Sequence, residues 1–202
     1  VKSTPLIIIA LGLSFGFRAG VWNIGAEGQY TIGALSGGAT ILAFYPMSGL
    51  WLLPVAFLVA IISGALWGMI PGILKAKFNT NEILVSLMLT YVAILFLSAM
   101  VYGPLKDPDG FNFPESRLFH DSGILPIIFH GTRAHVGFLI AIFLVVMMHF
   151  LLTRHMVGFF IKVSGESPRA LLFSGKSRNQ IIYLSFIICG GLAGLAGVIE
   201  VS

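Results

Sequence analysis

Long apolar stretches, broken by short polar clusters, set the pattern of this chain. No Asp, Glu, Lys or Arg occurs across residues 28–74, 83–103 or 136–153. A helix crosses the hydrocarbon core of a bilayer in about 20 predominantly apolar residues. The pattern therefore predicts apolar helices over 4–17, 28–44, 50–74, 83–103, 135–153 and 180–199. Tyr45-Pro46-Met47-Ser48-Gly49 divides the longest charge-free stretch, because Pro, Ser and Gly favour turns. The predicted fold class is all-α, a polytopic transmembrane helix bundle of about six spans forming a single domain over 1–202.

Composition removes the alternative of a soluble domain. Of the 202 residues 57% are hydrophobic and 10% charged, whereas soluble domains carry about 25% charged residues. The net charge of +4 would suggest nucleic acid in a soluble protein. Here its placement reads as topology, since basic residues gather in cytoplasmic loops. Arg154, Lys162, Arg169, Lys176 and Arg178 stand against Glu166 within 154–178, and Lys75 and Lys77 flank Ala76. The stretch 104–134 sets Lys106, Arg117 and Arg133 against Asp107, Asp109, Glu115 and Asp121. These asymmetries predict a cytoplasmic loop at 154–178 and an external loop at 104–134, with one span between each pair of neighbouring loops. The single cysteine, Cys189, provides no disulfide framework. Val1 leads directly into an apolar run, and the other end closes in one, so a piece of a longer membrane protein is expected.

Gly12, Gly16 and Gly20 recur every four residues, as do Gly64, Gly68 and Gly72, and Gly190 and Gly194. Small residues at that spacing let helix backbones approach closely in lipid, although pore-lining or hinge roles fit the same spacing. Polar groups among these helices need partners, because ionisable groups at membrane depth are costly. Asn23, Glu27 and Gln29 suit either an interfacial loop or a packing or pathway role. Asn81 can cap the fourth helix, and Glu82 in its first turn complements the helix dipole. His149 stands alone in the fifth span and is expected to be satisfied by packing, with no metal partner at ligand spacing. In the basic loop, Ser167-Pro168 reads as a helix start and Gly175 as the residue past its end. The two turns between them carry Leu171, Leu172 and Phe173, apolar bulk suited to a lipid interface or a groove on another protein. Ala170 to Ser177 loosely imitates a phosphate-binding loop, but it lacks the first glycine and the preceding strand.

Asn23-Ile24-Gly25-Ala26-Glu27-Gly28-Gln29, preceded by Phe17-Arg18-Ala19-Gly20, resembles a signature of bacterial ABC-transporter permeases. These are the inner-membrane subunits of importers for nucleosides and simple sugars, grouped with branched-chain amino acid and ribose permeases. Asn81-Glu82-Ile83 with Ser86-Leu87-Met88-Leu89, and Gly165-Glu166-Ser167-Pro168-Arg169-Ala170 with Ser174-Gly175, extend the resemblance over the whole chain. Thr90 stands where the family has Asn, and Lys176 where it commonly has an apolar residue.

The resemblance implies a multi-pass permease subunit in the bacterial inner membrane. Its partners would be two cytoplasmic ATPases, a second permease subunit and an external substrate-binding protein. ATP and Mg would be bound by the ATPases, with no cofactor, metal or catalytic residue in this chain. Gly165, Glu166, Ser167, Pro168, Arg169, Ala170, Leu171, Leu172 and Gly175 would form the ATPase-coupling element. Asn23, Glu27, Gln29, Asn81, Glu82 and Thr90 are the candidates for the translocation pathway or its packing. The external loop, with Pro104, Pro108, Pro114 and Pro126, would meet the binding protein. An ion-coupled secondary transporter is the alternative, but it needs carboxylates deep in the spans, and Glu27, Glu82 and Glu200 lie near span ends. An integral-membrane enzyme lacks a supporting constellation.

Overall fold

A computed structural model describes residues 2–45, 49, 51–107, 115–120, 123–127 and 135–202. Helices α1 (Ser3–Arg18), α2 (Ala26–Ala43), α3 (Leu52–Phe78), α4 (Glu82–Tyr102) and α5 (Gly137–Arg154) precede α6 (Met156–Glu166), α7 (Pro168–Phe173) and α8 (Arg178–Val201). The six apolar segments expected from the charge pattern correspond to α1 to α5 and α8. The basic stretch 154–178, expected as a loop with one short helix, holds both α6 and α7. Of the eight helices among the described residues, α3, α4, α5 and α8 have the length and hydropathy to cross a membrane. The expected count of six spans is thus approximate: α1 has 16 residues, about 24 Å of helix. The turn residues 46–48 and much of 104–134, including Pro108, Pro114 and Arg133, lie outside the described residues.

The centre of the bundle is α8. In its apolar stretch 78% of the residues are buried, against 17% in α4, and a helix apolar on all sides is one that belongs inside. It packs on α3, α2 and α1. Its glycines make this possible. A Cβ on Gly64 would run into the Gly190 carbonyl, and one on Gly33 into the Gly194 backbone. The glycine spacing of α3 and α8 therefore serves backbone-to-backbone packing. Gly20 differs from that expectation: it is not part of a helical stripe. Its φ of +71° ends α1, with the Val21 N–H donating to the Gly16 carbonyl at 2.9 Å.

Contacts fix the direction of each helix. Gly33 and Gly37 of α2 meet Gly194 and Val198 of α8 in the same order, so these two run parallel, whereas Gly64 and Gly72 of α3 meet Gly190 and Phe186 in reverse order. The result gathers the end of α1, the start of α2, the α3–α4 turn, the end of α5 and the start of α8 at one basic end. At the other end the Leu125 N–H donates to the Ser202 carbonyl at 2.9 Å.

Candidate functional site at the basic end

The α3–α4 turn is built by two asparagines. Asn79 adopts φ +51°, and its N–H donates to the Lys75 carbonyl at 3.0 Å, closing α3. Asn81 then caps α4, its Oδ1 accepting from Ile83 N at 3.0 Å and Leu84 N at 3.4 Å. Across this turn, Lys75 Nζ pairs with Glu82 at 2.9 Å. Glu82 is 9% exposed, and the closing of the turn leaves its carboxylate beside the Lys75 ammonium.

Asn23 and Gln29 form the second junction. Asn23 Nδ2 donates to Gln29 Oε1 at 3.0 Å and to Cys189 Sγ at 2.9 Å, and Gln29 Nε2 donates back to Asn23 Oδ1 at 3.3 Å. The same Oδ1 accepts from Gly25 N at 3.1 Å. Both side chains are buried, so this arrangement fastens the start of α2 to the middle of α8. Thr90 is buried and donates to the Ser86 carbonyl at 3.2 Å. It lies against Gly28, while Ser86 lies against Gly25, where an added Cβ would come within 2.8 Å of each. Glu27 stands apart from these contacts, exposed in the first turn of α2. Asn23, Gln29, Glu82 and Thr90 therefore meet helix neighbours, and Asn81 serves as a cap.

The third motif reaches the same place. Gly165, near the end of α6, abuts the Arg18 carbonyl and Gly20 so closely that a Cβ would collide with the former. Glu166 lies 3.9 Å from Lys162 on the exposed face of α6. Ser167 separates α6 from α7 but makes no side-chain cap bond. Pro168 at the first helical position has no N–H to satisfy, and it is the Ser167 carbonyl that accepts, from Leu171 N at 3.3 Å. Within α7, Leu171 is fully buried, whereas Arg169, Ala170 and Leu172 are exposed and Phe173 is 94% exposed. Gly175 follows with φ +77°, and Lys176 reaches back over the Phe160 ring at 6.0 Å. Residues 170–173, part of the imitation phosphate loop, are helical rather than a glycine-rich turn.

Two features were not anticipated. Ser177 and Gln180 make a reciprocal capping box at the start of α8, for which the Ser-x-x-Gln spacing is the sequence signal. At the opposite end of the bundle, a cavity of about 720 Å³ opens between α2 and the outer half of α4, lined by Tyr30, Thr31, Leu35, Gly38, Leu97 and Phe119 among others. No motif marks it, because its walls combine apolar positions of α2 and α4 with scattered non-helical residues such as Arg117 and Phe119. His149, expected to be satisfied by packing and hydrogen bonds rather than by a metal, is exposed on α5. It occupies one of the outward positions of a helix whose buried face is formed by Gly137, Ala141, Leu144 and Met148.

Comparison with known proteins gives this geometry its context. The family model described as branched-chain amino acid transport system / permease component matches residues 1–202. A glucose ABC transporter permease protein of Haloferax volcanii is 35% identical over 100% of this chain and 55% of its own length. A guanosine ABC transporter permease protein of Bacillus subtilis is 33% identical over 98% of this chain and 57% of its own. A nucleoside ABC transporter permease protein of Lactococcus lactis is 29% identical over 96% and 56%. The chain spans about half the length of these curated relatives. No solved structure matches it. Four helices among the described residues that are long and apolar enough to cross a membrane, three motifs gathered at one basic end and a family match over residues 1–202 agree: this is a multi-pass membrane protein, and it belongs to the permease-component family of branched-chain amino acid transport systems.

Proposed function

We propose that this chain forms the membrane core of an ABC importer permease in the bacterial inner membrane and serves the uptake of a nucleoside or simple sugar. The observation that carries this reading is α7. It is a six-residue helix anchored by buried Leu171, and it presents Leu172 and a 94% exposed Phe173 beside Arg169, Lys176 and Arg178. An apolar pair at a basic, cytoplasmic end suits the groove of a partner protein. That partner is a pair of ATPases, which bind ATP and Mg and perform the hydrolysis.

Closure of the ATPase pair moves α7, and the spans alternate access between the two membrane faces. A second permease subunit completes the path, and an external binding protein delivers substrate at the end where the 720 Å³ cavity opens. The relatives named for guanosine, nucleosides and glucose support that substrate range.

Deletion of residues 167–174 in the full-length permease is expected to abolish co-purification of the ATPase while membrane insertion persists. The double variant Leu172→Ser, Phe173→Ser should do the same without altering chain length. Retained co-purification in that variant would contradict the docking role of α7.

A further inference from the structure

We propose that the cavity at the outer end of the bundle is a binding site for a nucleoside, with the Phe119 ring as the platform on which the base stacks. This assignment rests on the reading of the chain as an importer permease, and it selects the nucleoside over the simple sugar.

Phe119 reaches the cavity from the external stretch, and several contacts hold that stretch in place. A Cβ on Gly38 of α2 would come within 3.3 Å of the Phe119 ring, so the bare glycine forms a seat for it. Gly123 lies against the Ile41 side chain of the same helix, and the Leu125 N–H donates to the Ser202 carbonyl at 2.9 Å. Arg117 is held as well, 3.7 Å from Asp107 and over the Tyr45 ring at 5.4 Å. The aromatic face is therefore in position before a ligand arrives, and no ordering cost falls on the binding step.

The other walls are mostly apolar, with Leu35 and Leu42 of α2 and Leu97 and Val101 of α4 among them. Small-molecule sites of this size, about 720 Å³, have such walls and a few polar groups that orient the ligand. Of those groups, the Thr31 hydroxyl already donates to the Glu27 carbonyl at 2.8 Å, so towards a ligand it can only accept. A ring N–H or an exocyclic amine is the complementary donor. Ser116 and Arg117 also line the cavity and are exposed, which puts hydroxyl-binding groups at its mouth. A hexose carries hydroxyls around its whole ring, and each one left against Leu or Val without a partner is costly. A nucleoside separates its polarity. Its base offers two π-faces, which stack on an aromatic side chain, while the ribose hydroxyls can turn towards the mouth.

The test uses the full-length permease with its ATPases in proteoliposomes, without the binding protein, and a photoactivatable azidoguanosine as probe. Trypsin cuts after Arg117 and Arg133, so the peptide 118–133 carries Phe119. Labelling of that peptide is expected, suppressed by excess guanosine and unaffected by excess glucose. Phe119→Leu keeps an apolar side chain without the ring and is expected to cut the label about tenfold, whereas Phe119→Tyr keeps it within about twofold. With the binding protein restored, ATP-driven uptake of radiolabelled guanosine is expected, and of glucose is not.

Glucose protecting as well as guanosine would overturn the proposal, as would undiminished label in Phe119→Leu. Absence of guanosine-protected label on this peptide would also overturn it, the outcome if a further helix of the full-length permease fills the cavity. Should Phe119→Leu fail to insert, the contrast between guanosine and glucose still decides the matter. ATP-driven uptake of glucose alone would overturn the nucleoside site and leave the permease reading standing. Uptake of neither substrate by a permease that does not hold its ATPases would overturn that reading instead.

Discussion

Asn23 shows how a polar residue in a membrane bundle can be structural. Its amide satisfies Gln29, Cys189 and the Gly25 N–H at once. Asn23→Ala leaves buried polar atoms of Gln29 without their partner, which costs about 1–3 kcal/mol. The expected outcome is a lower midpoint in thermal unfolding of the detergent-purified permease, with the KM for transported substrate unchanged. A shifted KM at an unchanged midpoint would instead place Asn23 in the pathway. Glycines separate in the same way. A Cβ on Gly194 would strike the Ala60 carbonyl, whereas one on Gly175 meets nothing within 4 Å. Gly194→Ala should therefore sharply reduce the yield of folded permease on size-exclusion chromatography. Gly175→Ala should cost only the strain of a left-handed residue, about 1 kcal/mol.

Among the elements, the apolar helices were legible because charge-free runs of span length have few alternatives to helix in lipid. Their ends were legible where a side chain caps them, as Asn81 does for α4. The α6 helix was not, since its 11 residues sit in the most basic part of the chain and are too few to cross a bilayer. Gly20 misled for a related reason: four-residue spacing is shared by a packing stripe and by a helix terminator, and only the backbone angle distinguishes them. The Asn23–Cys189 contact joins residues 166 apart in sequence, and no periodicity reports such a pairing. The capping box of α8 offers a check at this scale. Ser177→Ala removes the acceptor for Gln180 N and should lower stability by about 1 kcal/mol. ATP-driven uptake should be unaffected, as measured in the same proteoliposomes.

At the scale of the whole molecule, the helix directions and the distribution of charge describe one arrangement. The end of the bundle that collects Lys75, Lys77, Arg154 and Arg178 also holds all three motifs and α7, while the cavity opens at the other end. The positive-inside rule assigns the basic end to the cytoplasm, and the docking role requires it there. Phe173 tests both requirements together. With Cys189 and any other cysteine of the full-length permease replaced by Ser, Phe173→Cys is labelled with a membrane-impermeant maleimide, in intact cells and in inside-out vesicles, with and without the partner ATPase. The account predicts labelling in inside-out vesicles alone, and protection when the ATPase is bound. Labelling in intact cells, or labelling that the ATPase leaves unchanged, would contradict it.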